Sequence, residues 1–132
     1  MTSQLKILAI DDESDVLLIV RTALESEDYE VFTASNGEDG LALASEENPD
    51  LIVLDVMMPE IDGFEVLQRL KDTENTANIP VVMLTGLSDN NLIKKALDLG
   101  VRHYVVKPFE FREFIDIVHS AMEDHDINMD IL

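Results

Sequence analysis

The sequence predicts a single α/β domain, a right-handed doubly wound parallel sheet with helices on both faces. Three observations carry that expectation. The chain has 132 residues, which fits one domain at about 100–200 residues each. Short apolar runs such as Leu51 to Leu54 show no alternation, so they read as strands buried on both faces. Amphipathic stretches of helical length separate those runs, and this β-α alternation defines the doubly wound class.

The elements follow in order. Leu5 to Ile10 is apolar except for Lys6 and stops at an acidic cluster, Asp11-Asp12-Glu13. Val16, Val20, Ala23 and Leu24 then share one helical face, with Ser14 as the expected cap. Tyr29 to Ser35 is a weaker strand, and Asn36-Gly37 is a turn before a helix carrying Leu41 and Ala44. Asn48-Pro49 ends that helix. The Leu51 strand ends at Asp55, and Phe64, Leu67 and Leu70 mark a third helix behind Asp62-Gly63. Ile79 to Leu84 is a fourth strand ending at Thr85. Leu92, Ile93, Ala96 and Leu97 follow, closed by Gly100. His103 to Val106 leads to Lys107-Pro108, and Phe111, Phe114, Ile115, Val118 and Met122 mark the fifth helix. The domain is expected over residues 1–123. The acidic tail 124–132, in which Ile127, Met129 and Ile131 alternate, reads first as frayed chain, with a small edge strand, a docking tail and the stump of a linker left open.

Charge narrows the function classes. Asp plus Glu number 28 against 9 Lys plus Arg, a net charge of −19. That balance argues against direct nucleic-acid binding and against docking on an anionic membrane. There is no cysteine, so thiol catalysis, thiolate zinc sites and disulfide scaffolds are excluded. No apolar run approaches the roughly 18 residues of a membrane span, and no signal peptide is visible. The expected location is cytoplasmic.

In open α/β sheets, ligands bind beyond the carboxyl ends of the strands. The ends here deliver Asp11 and Asp12, Asp55, Thr85 and Lys107. Converging carboxylates repel one another and call for a cation. Hard oxygen donors with room for water suit Mg2+. An Asp can itself be the nucleophile that accepts a phosphoryl group, while Lys and Thr satisfy the phosphoryl oxygens. Each residue alone has a bland reading: a helix-end carboxylate pair, an Asx turn, a strand-end hydroxyl, a solvated lysine. All of these would have to coincide at four strand ends.

Over residues 4 to about 123 the chain resembles the receiver domains of two-component response regulators, chemotaxis-regulator-like. The resemblance rests on Ile7-Leu8-Ala9-Ile10-Asp11-Asp12-Glu13, Leu54-Asp55-Val56-Met57-Met58-Pro59-Glu60-Ile61-Asp62-Gly63-Phe64, Val82-Met83-Leu84-Thr85-Gly86 and Tyr104-Val105-Val106-Lys107-Pro108-Phe109. It implies a flavodoxin-like sheet of order 2-1-3-4-5 flanked by five helices. It implies Asp55 as phosphoacceptor and Mg2+ held by Asp12, Asp55 and the Met57 carbonyl, with Asp11 acting through water. Thr85 and Lys107 would contact the phosphoryl group, Lys107-Pro108 would be cis, and Tyr104 would be the aromatic switch. The implied donor is a sensor histidine kinase or a histidine phosphotransfer protein. The output is a changed face of the fourth helix, fifth strand and fifth helix that controls a downstream protein or an output domain missing from this sequence. On this reading the chain is not a turnover enzyme, although it assists its own phosphorylation and dephosphorylation.

Two departures matter. Val101-Arg102-His103 stands where many receivers have a small residue followed by an acidic one; this alters the loop before Tyr104 and bears on partner identity, not on the chemistry. In receivers the positions of Met57 and Leu87 influence how water reaches the acyl phosphate, and two apolar side chains there imply slow autodephosphorylation. Met57 and Met58 are expected to pack locally along the site loop. His103, His119 and His125 form no metal spacing. A dehalogenase-like phosphatase would need an acid two residues after its nucleophile, where this chain has Met57. A flavodoxin-like carrier would need a Ser/Thr/Gly-rich loop in place of Asp11-Asp12-Glu13, and an EF-hand would need a Gly and a distal Glu. A receiver-like interaction module working without phosphorylation stays open as the alternative.

Overall fold

The computed structural model describes residues 4–86 and 90–131, with 125–131 given by backbone alone. Five strands, β1 (Lys6–Ile10), β2 (Glu30–Ala34), β3 (Leu51–Asp55), β4 (Val81–Thr85) and β5 (His103–Val106), alternate with α1 (Ser14–Glu25), α2 (Gly37–Glu47), α3 (Gly63–Asp72), α4 (Asn90–Asp98) and α5 (Phe111–Ile131). All strand pairs are parallel, in the order β2-β1-β3-β4-β5. This is the expected doubly wound class and order.

The apolar runs become the inner strands. β3 and β4 are buried along their whole length, whereas the edge strands β2 and β5 are only partly covered. Successive side chains point to opposite faces. Leu8, Ile10, Ile52, Leu54 and Met83 meet Ala44, Leu67, Leu70 and Ala96 on one side. Ile7, Ala9, Val53, Val82 and Leu84 meet Val20, Leu24, Phe114 and Val118 on the other. The sheet is thus held between two apolar layers, which fix the positions of the strand carboxyl ends.

Local chemistry sets the helix entries. The Asn36 side chain accepts the Asp39 N–H at 2.8 Å and the Asp62 side chain accepts the Glu65 N–H at 2.9 Å, so both act as N-caps. Ser14 does not cap α1. It is already helical, the extended residue is Glu13, and Glu13 has no side-chain cap bond. The Asp11 carboxylate takes the Glu13 N–H instead, at 2.9 Å. α4 ends at Asp98 and is closed by Gly100 at φ +92°, with Val101 N–H returning to the Ala96 carbonyl at 3.0 Å, the closure that a left-handed residue permits.

The C-terminus differs from the sequence reading. α5 does not end near Met122; its backbone stays helical through Ile131. No Gly or Pro follows Pro108, so nothing in the chain breaks the helix. His103 Nε2 lies 2.9 Å from Asp124 Oδ2, joining this extra turn to β5.

Candidate functional site

Asp11 continues the β1 ladder, its N–H donating to the Ala34 carbonyl at 3.1 Å. Asp55 is the last residue of β3, Thr85 the last of β4, and Lys107 follows β5 directly. Parallel register therefore brings them to one edge. Asp11 is 1% exposed and Asp55 2%. Buried carboxylates are costly unless paired, and the partner here is Lys107. Its Nζ lies 2.8 Å from Asp11 Oδ2, 3.1 Å from Glu13 Oε1 and 3.3 Å from Asp55 Oδ1.

One ammonium does not satisfy these acids. Asp55 Oδ2 is buried without a hydrogen-bond partner. Burial first, then the Asp11 charge, pushes the Asp55 carboxyl up to about 7, against the pull of Lys107. Lys107 moves upward from its ordinary value. Burial opposes its charge, but hydrogen bonding to Asp11, the charge of Asp55 and the bond to Glu13 outweigh that. It therefore stays an ammonium at neutral pH.

One carboxylate oxygen from each of Asp11, Asp12 and Asp55 falls within 4.8 Å of the others. Asp12 is exposed while the other two are buried, so the cluster opens to solvent on one side. Oxygen donors, an orphaned buried oxygen and an excess of negative charge fit a hard divalent cation.

The loop after β3 is fixed by Gly63. A Cβ there would stand 2.2 Å from the Asp55 carbonyl oxygen, and Gly63 N–H donates to the Val56 carbonyl at 2.8 Å. Only glycine lets α3 start this close to Asp55. Within the loop Met58 packs into the core, but Met57 is 61% exposed. The expectation that both pack locally holds for Met58 alone.

Thr85 is buried beside β5, where it pairs with Val106. Its carbonyl accepts the Lys107 N–H at 2.7 Å. The Lys107–Pro108 bond is cis, as the resemblance implies. Tyr104 stands apart from the acids. It is 37% exposed and closes a cleft lined by Val56, Met83, Thr85, Leu92, Ile93 and Ala96. Its room, about 10 Å³, is that of roughly one water. His119 Nε2 sits 3.5 Å from Glu27 Oε1 and against the Tyr29 ring, far from a ligand role. Leu87 and the His125 side chain lie outside the described residues.

Glu13, the third acid of the cluster after β1, carries no role in the sequence reading. Its contact with Lys107 spans 94 positions. The available signal was a third acid at a helix entry beside a strand end that faces a lysine. Gly63 had its signal in the Asp-Gly pair, although its approach to Asp55 was not visible there.

A family model for the response regulator receiver domain matches residues 7–119. The chain belongs to that family. As a receiver domain it is 45% identical over 117 residues to the probable transcriptional regulator ycf27 of Cyanophora paradoxa, covering 89% of this chain and 48% of that protein. It is 41% identical over 121 residues to the DNA-binding dual master transcriptional regulator RpaA of Synechocystis sp., covering 92% and 50%. Among solved structures, the chemotaxis protein CheY4 of Vibrio cholerae superposes with a TM-score of 0.86 at 28% identity, covering 90% of this receiver and 99% of that chain. The receiver spans about half the length of the curated relatives it matches. No helix among the described residues is long and apolar enough to cross a membrane.

Proposed function

We propose that this receiver domain is a phosphoacceptor switch, with residues 1–123 as the switch and 124–132 as an acidic extension. Asp55 takes a phosphoryl group from a phosphohistidine on a sensor histidine kinase or a histidine phosphotransfer protein. The observation that carries this reading is the state of Asp55: buried, with one oxygen 3.3 Å from Lys107 Nζ and the other unpartnered. A carboxylate oxygen attacks phosphorus, the P–N bond breaks, and the imidazole leaves with the electron pair and takes up a proton.

Asp11, Asp12, Asp55 and the Met57 carbonyl would hold Mg2+. Bound there, the ion offsets carboxylate charge and attracts phosphoryl oxygens. Lys107 supplies a second positive contact, and the Thr85 hydroxyl donates to another oxygen. The drawing-in of Thr85 is transmitted to Tyr104 across the cleft they share, and so to the face made by α4, β5 and α5. Because the curated relatives are about twice as long and carry names of transcriptional regulators, that face serves an output domain or a downstream protein partner. With its work confined to its own modification, the domain is not a turnover enzyme.

Intact-mass spectrometry after incubation with acetyl phosphate and Mg2+ tests this. One added phosphoryl group is expected, lost with EDTA and in Asp55→Asn. No gain, with Mg2+ binding demonstrated by calorimetry, would instead make the domain an interaction module that works unphosphorylated. The apolar Met57 side chain, two residues after Asp55, is the basis for expecting slow autodephosphorylation. Met57→Asn is expected to hydrolyse faster, and an unchanged rate would remove that part of the proposal.

A further inference from the structure

Glu13, Lys107 and Asp11 form a closed ring of contacts. Glu13 N–H donates to Asp11 Oδ1 at 2.9 Å, Lys107 Nζ donates to Glu13 Oε1 at 3.1 Å, and the same Nζ stands 2.8 Å from Asp11 Oδ2. The ammonium is therefore nearer to the β1 acids than to Asp55, at 3.3 Å. We propose that Glu13 is a positioning residue for phosphoryl uptake. Its carboxylate holds the Lys107 ammonium on the β1 side and repels an anionic phosphodonor at the mouth of the pocket. This rests on the phosphoacceptor reading above.

The three partners of Lys107 differ in freedom. Asp11 and Asp55 are buried at strand ends, and neither can swing away. The Glu13 side chain is 61% exposed on the entry to α1. When phosphoryl oxygens claim Lys107, Glu13 is the partner that can leave into water. It is thus the group that sets how readily Lys107 is released. It also adds charge. With every group ionised, Asp11, Asp12, Glu13 and Asp55 stand against Lys107 alone, so removing the Glu13 charge lowers the excess from three negative charges to two. A single charge several ångströms from a reacting anion, at the boundary of water and protein, changes its approach by a few-fold to tenfold.

The test is Glu13→Gln, which keeps the length and polarity of the arm and removes the charge. Acetyl phosphate labelling is followed at saturating Mg2+ in the full chain. The variant is expected to label about three- to tenfold faster than wild type at low salt. At 1 M salt, where the screening length is about 3 Å, the gain is expected to fall below about twofold. Mg2+ binding, measured separately by calorimetry, is expected to weaken about two- to threefold for the lost negative charge. Glu13→Ser, with matching thermal melts, must repeat the pattern. Equal rates at low salt, or a gain undiminished at 1 M salt, overturn the role of Glu13 while leaving Asp55 phosphorylation intact. Wild-type chain that takes no phosphoryl group at all removes the phosphoacceptor reading, and the role of Glu13 falls with it.

Discussion

α3 and α4 are helices of nearly equal length on the same face of the sheet, yet they are held very differently. α3 buries Gly63, Phe64, Val66, Leu67 and Leu70 within ten residues, whereas α4 buries Ala96 within nine. The entry of α3 is also locked to Asp55 by Gly63. α4 rests over the narrow cleft it shares with Thr85 and Tyr104. Elements that move in switching come from the weakly held end of a structure. On the function proposed above, Asp55 thus sits on a rigid unit, and its proposed readout on a loosely attached one.

The largest effect that would break this contrast is in core packing. Leu67→Ala, at a fully buried α3 position, is expected to cost about 2–5 kcal/mol of global stability. Leu97→Ala, at an exposed α4 position, is expected to stay within about 0.5 kcal/mol. Urea unfolding of both variants measures the pair. Equal losses would mean that α4 is part of the cooperative core.

Much of the rigid unit was legible beforehand, and the reason is physical. Leu51 to Leu54 has no polar residue and sits between helical stretches, so it reads as an inner strand with Asp55 at its carboxyl end. Asn36-Gly37 and Asp62-Gly63 read as turns at helix starts; that the Asn36 and Asp62 side chains also cap those helices came from the structure. The site beyond β1 was less legible. The Ser14 cap failed because Asp11 reached the same turn from the strand end. Glu13 escaped because its partner lies 94 positions away and depends on where its side chain points. The last turns of α5 read as frayed because their composition is acidic; the absence of Gly and Pro after Pro108 was the better guide.

A second prediction concerns what the rigid unit holds. The Asp55 carboxyl is raised to about 7 from its ordinary 3.8. Between those values the folded state binds the proton and the unfolded chain does not. Stability from this group is therefore full below about pH 4 and is lost as pH rises through about 7. Lys107 is raised from 10.5, so its contribution persists up to that range and is flat across the window. Asp55→Asn is expected to remove a decline of about 2–4 kcal/mol between pH 4 and 8. Thermal melts of both proteins across this range, compared as differences, isolate the term from the other acids. Parallel pH profiles would show that the buried acid imposes no such cost.

The smallest effect tests the tie between the two units. Lys95 Nζ of α4 lies 4.5 Å from the centre of the Phe64 ring of α3. Such a contact at a partly exposed site is worth about 0.5–1 kcal/mol. Phe64 directly follows Gly63, so this contact joins α4 to the residue beside the Asp55 loop. A double-mutant cycle of Lys95→Met and Phe64→Leu is expected to give a coupling of that size. Native-state hydrogen exchange of the α4 amides is the readout suited to it, since a weakly held helix opens without global unfolding. Lys95→Met is expected to speed α4 exchange about two- to fivefold and to leave α3 exchange unchanged. Equal acceleration in both helices would mean that they open together, and the division between a rigid acceptor unit and a loosely held readout unit would be lost.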